Sequence, residues 1–273
     1  MIGLVVTLVP LNWWLESTKW RMLVRPIQTI GRGRAFRATL AGTAIALITP
    51  NRTGEFIGRV LYLDPSGRVA GSIATILGSI AQFVITLVVG SLGLVMMMVF
   101  ELPLIWTEGG RTIALLALAV AIAALALLGY FFPGSMRRVI QRIPVFQRWD
   151  HALRVLDRTG RRSLSIVLLL SLLRYGVFSG QFVLLCMAFG SGVPVHILVM
   201  TVPVIYLITT LIPTMLVSEI GVRGSIALTL LLPIGAEPIA IMAATGTLWL
   251  LNLVIPAVVG SVLLLTTHIR TAT

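Results

Sequence analysis

Three acidic residues of this chain sit in apolar surroundings, and each has a base one helical turn further on: Glu55 with Arg59, Glu219 with Arg223, and Glu16 with Lys19. At spacings of three or four on a helix the members of such a pair share a face, and acid before base is the favourable order. A lone charge at bilayer depth costs about 2.5–3.5 kcal/mol on insertion scales, so a partner on the same helix lowers the cost of burial. Arg174 has no acid on its own apolar segment. It must find a partner elsewhere or face a wet cavity. Guanidinium forks match phosphate oxygens, and a carboxylate can meet an amine or carry a proton. Arginines and carboxylates gathered in a protein-lined cavity therefore suit an anionic or zwitterionic headgroup. Ion pairs also persist for structure alone, and that reading of the three pairs stays open.

Hydrolytic chemistry is less well supplied. A nucleophile needs a base beside it, yet His151 lies in a basic linker, His196 at the edge of an apolar run and His268 in the tail. Gly190-Ser191-Gly192 faintly resembles an intramembrane serine protease without a histidine at matching depth, and Pro65-Ser66-Gly67 echoes a membrane phosphatase with Arg68 where its histidine belongs. No cluster has metal-ligand spacing, and no Gly-Lys phosphate loop occurs. The expectation is no enzyme, no metal and no cofactor. Cys186, the sole cysteine, reads as a small buried hydrophobe.

The elements that position these residues follow from composition. Of 273 residues, 58% are hydrophobic and 11% charged, with a mean hydropathy of +1.02. Soluble chains carry about a quarter charged residues, so the solvent is a membrane. A crossing helix needs about 20 apolar residues. Val69 to Val99, Thr112 to Phe132, Leu164 to Phe189 and Pro238 to Thr267 qualify, and Met1 to Leu15 reads as a short first span. Two further stretches, 35–63 and 195–236, are interrupted by Thr49-Pro50-Asn51-Arg52-Thr53-Gly54-Glu55 and by Pro213 followed by Ser218-Glu219-Ile220-Gly221-Val222-Arg223-Gly224. Broken helices at membrane depth survive only inside protein or along a wet cavity. The expected fold is one all-α transmembrane domain over residues 1–273, a polytopic bundle of about five full spans plus two re-entrant hairpins, seven to eight apolar segments in all. The two broken motifs resemble one another, which predicts an inverted pseudo-repeat with hairpin tips near the midplane.

The formal net charge is +12. Nine basic residues from Lys19 to Arg68 and eight arginines in the linker 134–162 fall on one side of this arrangement, as the positive-inside rule requires of the cytoplasmic face. Arginines from Arg137 to Arg162 alternate with Ile, Val, Phe, Trp and Leu. That predicts an amphipathic helix on the anionic leaflet rather than a nucleic-acid interface. Trp13, Trp14 and Trp20 are expected as an interfacial belt, and Gln82 and Asn252 as interhelical hydrogen bonds.

The strings Asn12-Trp13-Trp14-Leu15-Glu16-Ser17-Thr18-Lys19-Trp20-Arg21, Thr49 to Arg59 and Ser218 to Arg223 resemble the transmembrane region of lysylphosphatidylglycerol synthases, whose stand-alone relatives are described as flippase-like. The likeness covers nearly the whole chain, and the P-x-R-x-G-E block is its most specific part. It implies an inner-membrane protein that moves a lipid between leaflets, with Glu16, Lys19, Arg52, Glu55, Arg59, Glu219 and Arg223 at the family's motif positions. The soluble aminoacyl transferase domain has no counterpart in this sequence, so synthase activity and tRNA binding are not implied. The lipid can be a phospholipid, a glycolipid or a polyprenyl-phosphate intermediate. The competing expectation is a non-transporting scaffold that positions a partner lipid-modifying enzyme, alone or as a homo-oligomer.

Overall fold

The computed structural model describes residues 1–47, 49, 53–102, 110–147, 149–214 and 218–266, with no strand among them. The helices are α1 (Ile2–Val24), α2 (Arg32–Ala46), α3 (Gly54–Val60), α4 (Arg68–Val99), α5 (Gly110–Tyr130), α6 (Pro133–Ile140), α7 (Pro144–Gln147), α8 (Asp150–Arg158), α9 (Arg161–Ala188), α10 (Val195–Leu211), α11 (Glu219–Leu231), α12 (Pro238–Trp249) and α13 (Ile255–Thr266). A π-turn over Leu250–Val254 joins the last two into one continuous rod.

Among the described residues, α4 with its preceding turn, α9 and the α12–α13 rod are long and apolar enough to cross a membrane. A fourth crossing counts if α5 and α6, bent by 88°, form one span. At 1.5 Å per residue the 32 residues of α4 reach about 48 Å. That exceeds a hydrocarbon core of about 30 Å, so α4 tilts or projects beyond it.

Helix α1 runs to Val24, well past the expected end at Leu15. The charges that seemed to close the span are buried in pairs, so the helix continues through them. The tryptophan belt is likewise corrected. Trp20 is fully buried and its indole N–H donates to Thr75 Oγ1 at 2.9 Å; Trp13 is also buried, and only Trp14 of the three is exposed. The arginine-rich linker is three short helices rather than one. Helix α8 buries Leu153, Val155 and Leu156 in the cluster that includes Leu77 and Ala81 of α4, so this part of the linker packs on protein.

The same contacts occur twice. Helix α1 packs on α2 and α9 on α10; α3 packs on α4 and α11 on α12; α1 packs on α4 and α9 on α12. Crosswise, α2 lies on α13 and α10 lies on α4. The counterparts α1 and α9 are antiparallel neighbours, since Glu16 meets Arg174 at 3.4 Å while Gln181 Nε2 donates to the Val5 carbonyl at 2.9 Å. A rotation that exchanges two antiparallel helices has its axis perpendicular to them.

Helix α3 folds back on α2 because small residues let the backbones touch. A Cβ added at Gly58 would lie 2.6 Å from the Ala41 carbonyl oxygen and from Gly42 Cα. Gly54 and Gly58 form a small-x3-small stripe, the pattern that permits close helix packing in lipid. Across the bundle, a Cβ at Gly260 of α13 would lie 2.0 Å from the Leu40 carbonyl oxygen of α2.

Candidate functional site

The site is built from α1 outward. Glu16 and Lys19 share a face of α1 and pair at 2.7 Å. Helix α3 starts at Gly54, whose N–H donates to Thr49 Oγ1 at 2.8 Å, and this turn places Glu55 in the first helical turn with Arg59 four residues later. Arg59 pairs with Glu55 on its own helix and with Glu16 of α1 at 2.9 Å. Arg174 reaches the same carboxylate at 3.4 Å and donates to Gln82 Oε1 at 3.2 Å. Glu16 thus gathers three cations, and it, Lys19 and Arg59 are at most 5% exposed. Removing an ion from water costs several kcal/mol and is offset only by close, multiply bonded partners. This end of the site meets that condition through its ion pairs, while Arg59 Nε and Arg174 Nε stay buried without a hydrogen-bond partner among the described residues.

The second tip begins at α11. Glu219 lies in its first turn and Arg223 four residues on, and the two pair. The rest of the Arg223 environment differs. Its guanidinium carbon lies 5.1 Å from the centre of the Phe178 ring and 5.2 Å from that of Tyr206. Tyr175 meets Tyr206 edge to face at 5.9 Å. A cation over aromatic faces is attracted by their quadrupoles, but those faces accept no strong hydrogen bond. Arg223 is 7% exposed, and its Nε and Nη1 have no hydrogen-bond partner among the described residues.

Between the tips lies a cavity of about 620 Å³, lined by Glu16, Lys19, Glu55, Arg174, Glu219 and Arg223, within the usual range for a small-molecule site. Of the residues singled out by sequence, these six meet there. Arg59 packs behind Glu16 and Glu55, where it fixes the two carboxylates. Arg52 lies outside the described residues. Three described carboxylates therefore face four described cations, leaving one positive charge unmatched.

Several wall residues were not predicted as site residues. Asn12 Nδ2 donates to Asn252 Oδ1 at 2.8 Å, both side chains line the cavity, and Asn12 Oδ1 is left buried without a partner among the described residues. Asn252 sits within the π-turn, a distortion frequent at functional sites. Gln82 faces the cavity from α4. The aromatic shelf under Arg223 carried a usable signal: Tyr175 and Phe178 are three residues apart and share a face of one helix. Among the described residues no group of His, Cys, Asp or Glu comes together as metal ligands. Cys186 is fully buried.

No curated protein and no solved structure matches the chain. A family model does, over residues 1–260, nearly the full length that carries both hairpins and the cavity. The chain belongs to the family described as the lysylphosphatidylglycerol synthase TM region.

Proposed function

We propose that this membrane protein translocates the headgroup of an anionic or zwitterionic phospho- or glycolipid between leaflets of the cytoplasmic membrane, through the cavity between the two tips. The observation that carries the reading is Arg223, a buried guanidinium that lines the cavity and keeps two donors without a partner among the described residues. An unpaired buried donor is costly. A phosphate oxygen is the partner whose geometry fits it.

The repeated contacts support a mechanism. Two hairpins, α2–α3 and α10–α11, related by an axis in the membrane plane, form an inverted pair of re-entrant elements. Such pairs hold a midplane site while one half rocks against the other. On this reading, Glu55 and Arg59 guard the approach from one leaflet and Glu219 and Arg223 that from the other. The uncharged wall of Asn12, Gln82 and Asn252 offers donors and acceptors to headgroup hydroxyls.

The test is leaflet exchange of fluorescent phospholipids and of a polyprenyl-phosphate analogue in proteoliposomes, comparing the native chain with Glu219→Gln/Arg223→Gln. Exchange of one headgroup class, abolished in the variant at unchanged fold, is the expected result. Exchange no faster than in protein-free vesicles for every lipid, with the fold intact, would replace translocation with the scaffold reading and a partner enzyme.

A further inference from the structure

A second recess of about 620 Å³ lies away from the cavity between the tips, where α5 turns into α6 and α8 leads into α9. Phe131 and Phe132 form its apolar rim, and Arg137, Arg138, Arg161 and Asp157 supply its charge. These charges are not equally engaged. Arg137 is taken up by Asp150, at 2.6 Å, and by Asp157, so it cancels the acid of the recess and ties α6 to α8. Among the described residues Arg138 donates only to the neutral Ser135 Oγ, at 3.0 Å, and Arg161 lies over the Phe132 ring at 5.4 Å. Neither forms an ion pair among the described residues. Two exposed guanidinium groups therefore converge on a recess that holds no negative charge of its own to spare.

The surroundings indicate what such a charge would be attached to. Helices α5 and α9 both pack on α4, and the Tyr130 hydroxyl at the end of α5 donates to the Leu164 carbonyl of α9 at 3.2 Å. Both helices also carry exposed leucines, Leu128 and Leu125 on α5 and Leu169 and Leu173 on α9. A basic recess at the ends of two helices with exposed apolar residues suits an amphiphile, with a phosphate in the recess and hydrocarbon along the helices.

We infer that this recess is a second anion site for a phosphate ester, clamped between Arg138 and Arg161, and that the ester belongs to an anionic lipid of the basic-face leaflet. It is independent of the proposed transport. A lipid fixed there would hold the α6–α8 segment against the bundle from the membrane side, as Arg137 does from within.

The experiment uses the full chain in non-ionic detergent, with native mass spectrometry of bound phosphatidylglycerol and phosphatidylcholine. The expected result is preferential retention of phosphatidylglycerol, weakened at least about tenfold in Arg138→Ala/Arg161→Ala, since charge-assisted bonds to phosphate are lost. Arg138→Lys/Arg161→Lys should be intermediate, because charge remains and the fork does not. The control Arg142→Ala/Arg158→Ala removes two linker arginines outside the recess and should leave retention unchanged. Equal losses in both alanine pairs would overturn the site in favour of diffuse charge. Unchanged retention in the Arg138/Arg161 pair would overturn it outright. Displacement of the lipid by inorganic phosphate or glycerol phosphate at equal affinity would overturn the lipid assignment and leave a site for soluble phosphate esters.

Discussion

The two hairpin tips carry the same acid–base spacing in two different settings. At the first, Arg59 is enclosed by two carboxylates, and Glu16 is shared with Lys19 and Arg174. At the second, Arg223 has one carboxylate and two rings, and two of its nitrogens have no partner among the described residues. Arg59 serves two carboxylates and leaves one buried nitrogen, Nε, without a partner among the described residues, whereas Arg223 serves one and leaves two, so a ligand adds more at the second tip. The motif alone does not distinguish the two roles; the partners on other helices do.

The sharpest way to break this comparison is to remove the guanidinium at each tip. Arg59→Ala strands Glu55 and weakens the cluster around Glu16, so it should cost about 3–5 kcal/mol and lose most folded protein. Size-exclusion yield and thermal unfolding in detergent measure this. Glu219→Gln/Arg223→Gln removes a whole pair and should leave a folded chain that no longer exchanges lipid. Equal destabilisation by the two changes would abolish the distinction between scaffold and binding end.

The glycines test the same contrast through packing. At Gly58 an added methyl meets backbone at 2.6 Å, whereas at Gly221 nothing lies within 4 Å. Gly58→Ala should therefore destabilise by about 1–3 kcal/mol. Gly221→Ala should be neutral or stabilise by about 0.5–1 kcal/mol, through the helix preference of alanine over glycine. Thermal melts of both variants sharpen the comparison, and a reversed order would mean that the second hairpin is the tighter one.

Asn252→Leu should weaken the α1 contact by only about 0.6 kcal/mol, the average for such bonds in a membrane bundle. A larger loss in lipid exchange than in melting temperature would mark Asn12 and Asn252 as headgroup contacts. The smallest effect belongs to the linker. The hydrogen bond from Arg137 holds the Asp150 carboxyl below the usual carboxylate range. A depressed acid stabilises above its unfolded pKa, near 3.9, and loses that contribution as pH falls through the lower folded value. The hydrogen-exchange protection factors of residues 150–158 should be unchanged from pH 8 to 5 and fall only in stronger acid.

Much of this architecture was legible because embedded charge is rare. Glu16, Glu55, Glu219, Arg174 and Arg223 could be singled out from sequence because each interrupts an apolar run, and all five line the cavity. Their grouping was not legible. Glu16 and Arg174 are 158 residues apart, and no local spacing shows that one carboxylate serves cations from three helices. The C-terminal end of α1 was misread for the same reason, since charges count against a span unless their burial partners are known. The tryptophans were misread because Trp20 finds a buried hydroxyl on α4 rather than the water interface. Asn252 reads as an ordinary interhelical hydrogen bond in sequence. Its π-turn, which no periodicity announces, turns it toward Asn12.

Helix α9 holds Arg174 against Glu16 of the first half and, four residues on, Phe178 against Arg223 of the second. Four residues of helix are a rigid ruler of about 6 Å. The two halves are therefore read off one stiff scale, and movement of either tip must slide along it or carry it. A single alanine inserted between Arg174 and Phe178 would leave the charge untouched yet turn one mark by about 100° from the other, uncoupling the halves by geometry alone.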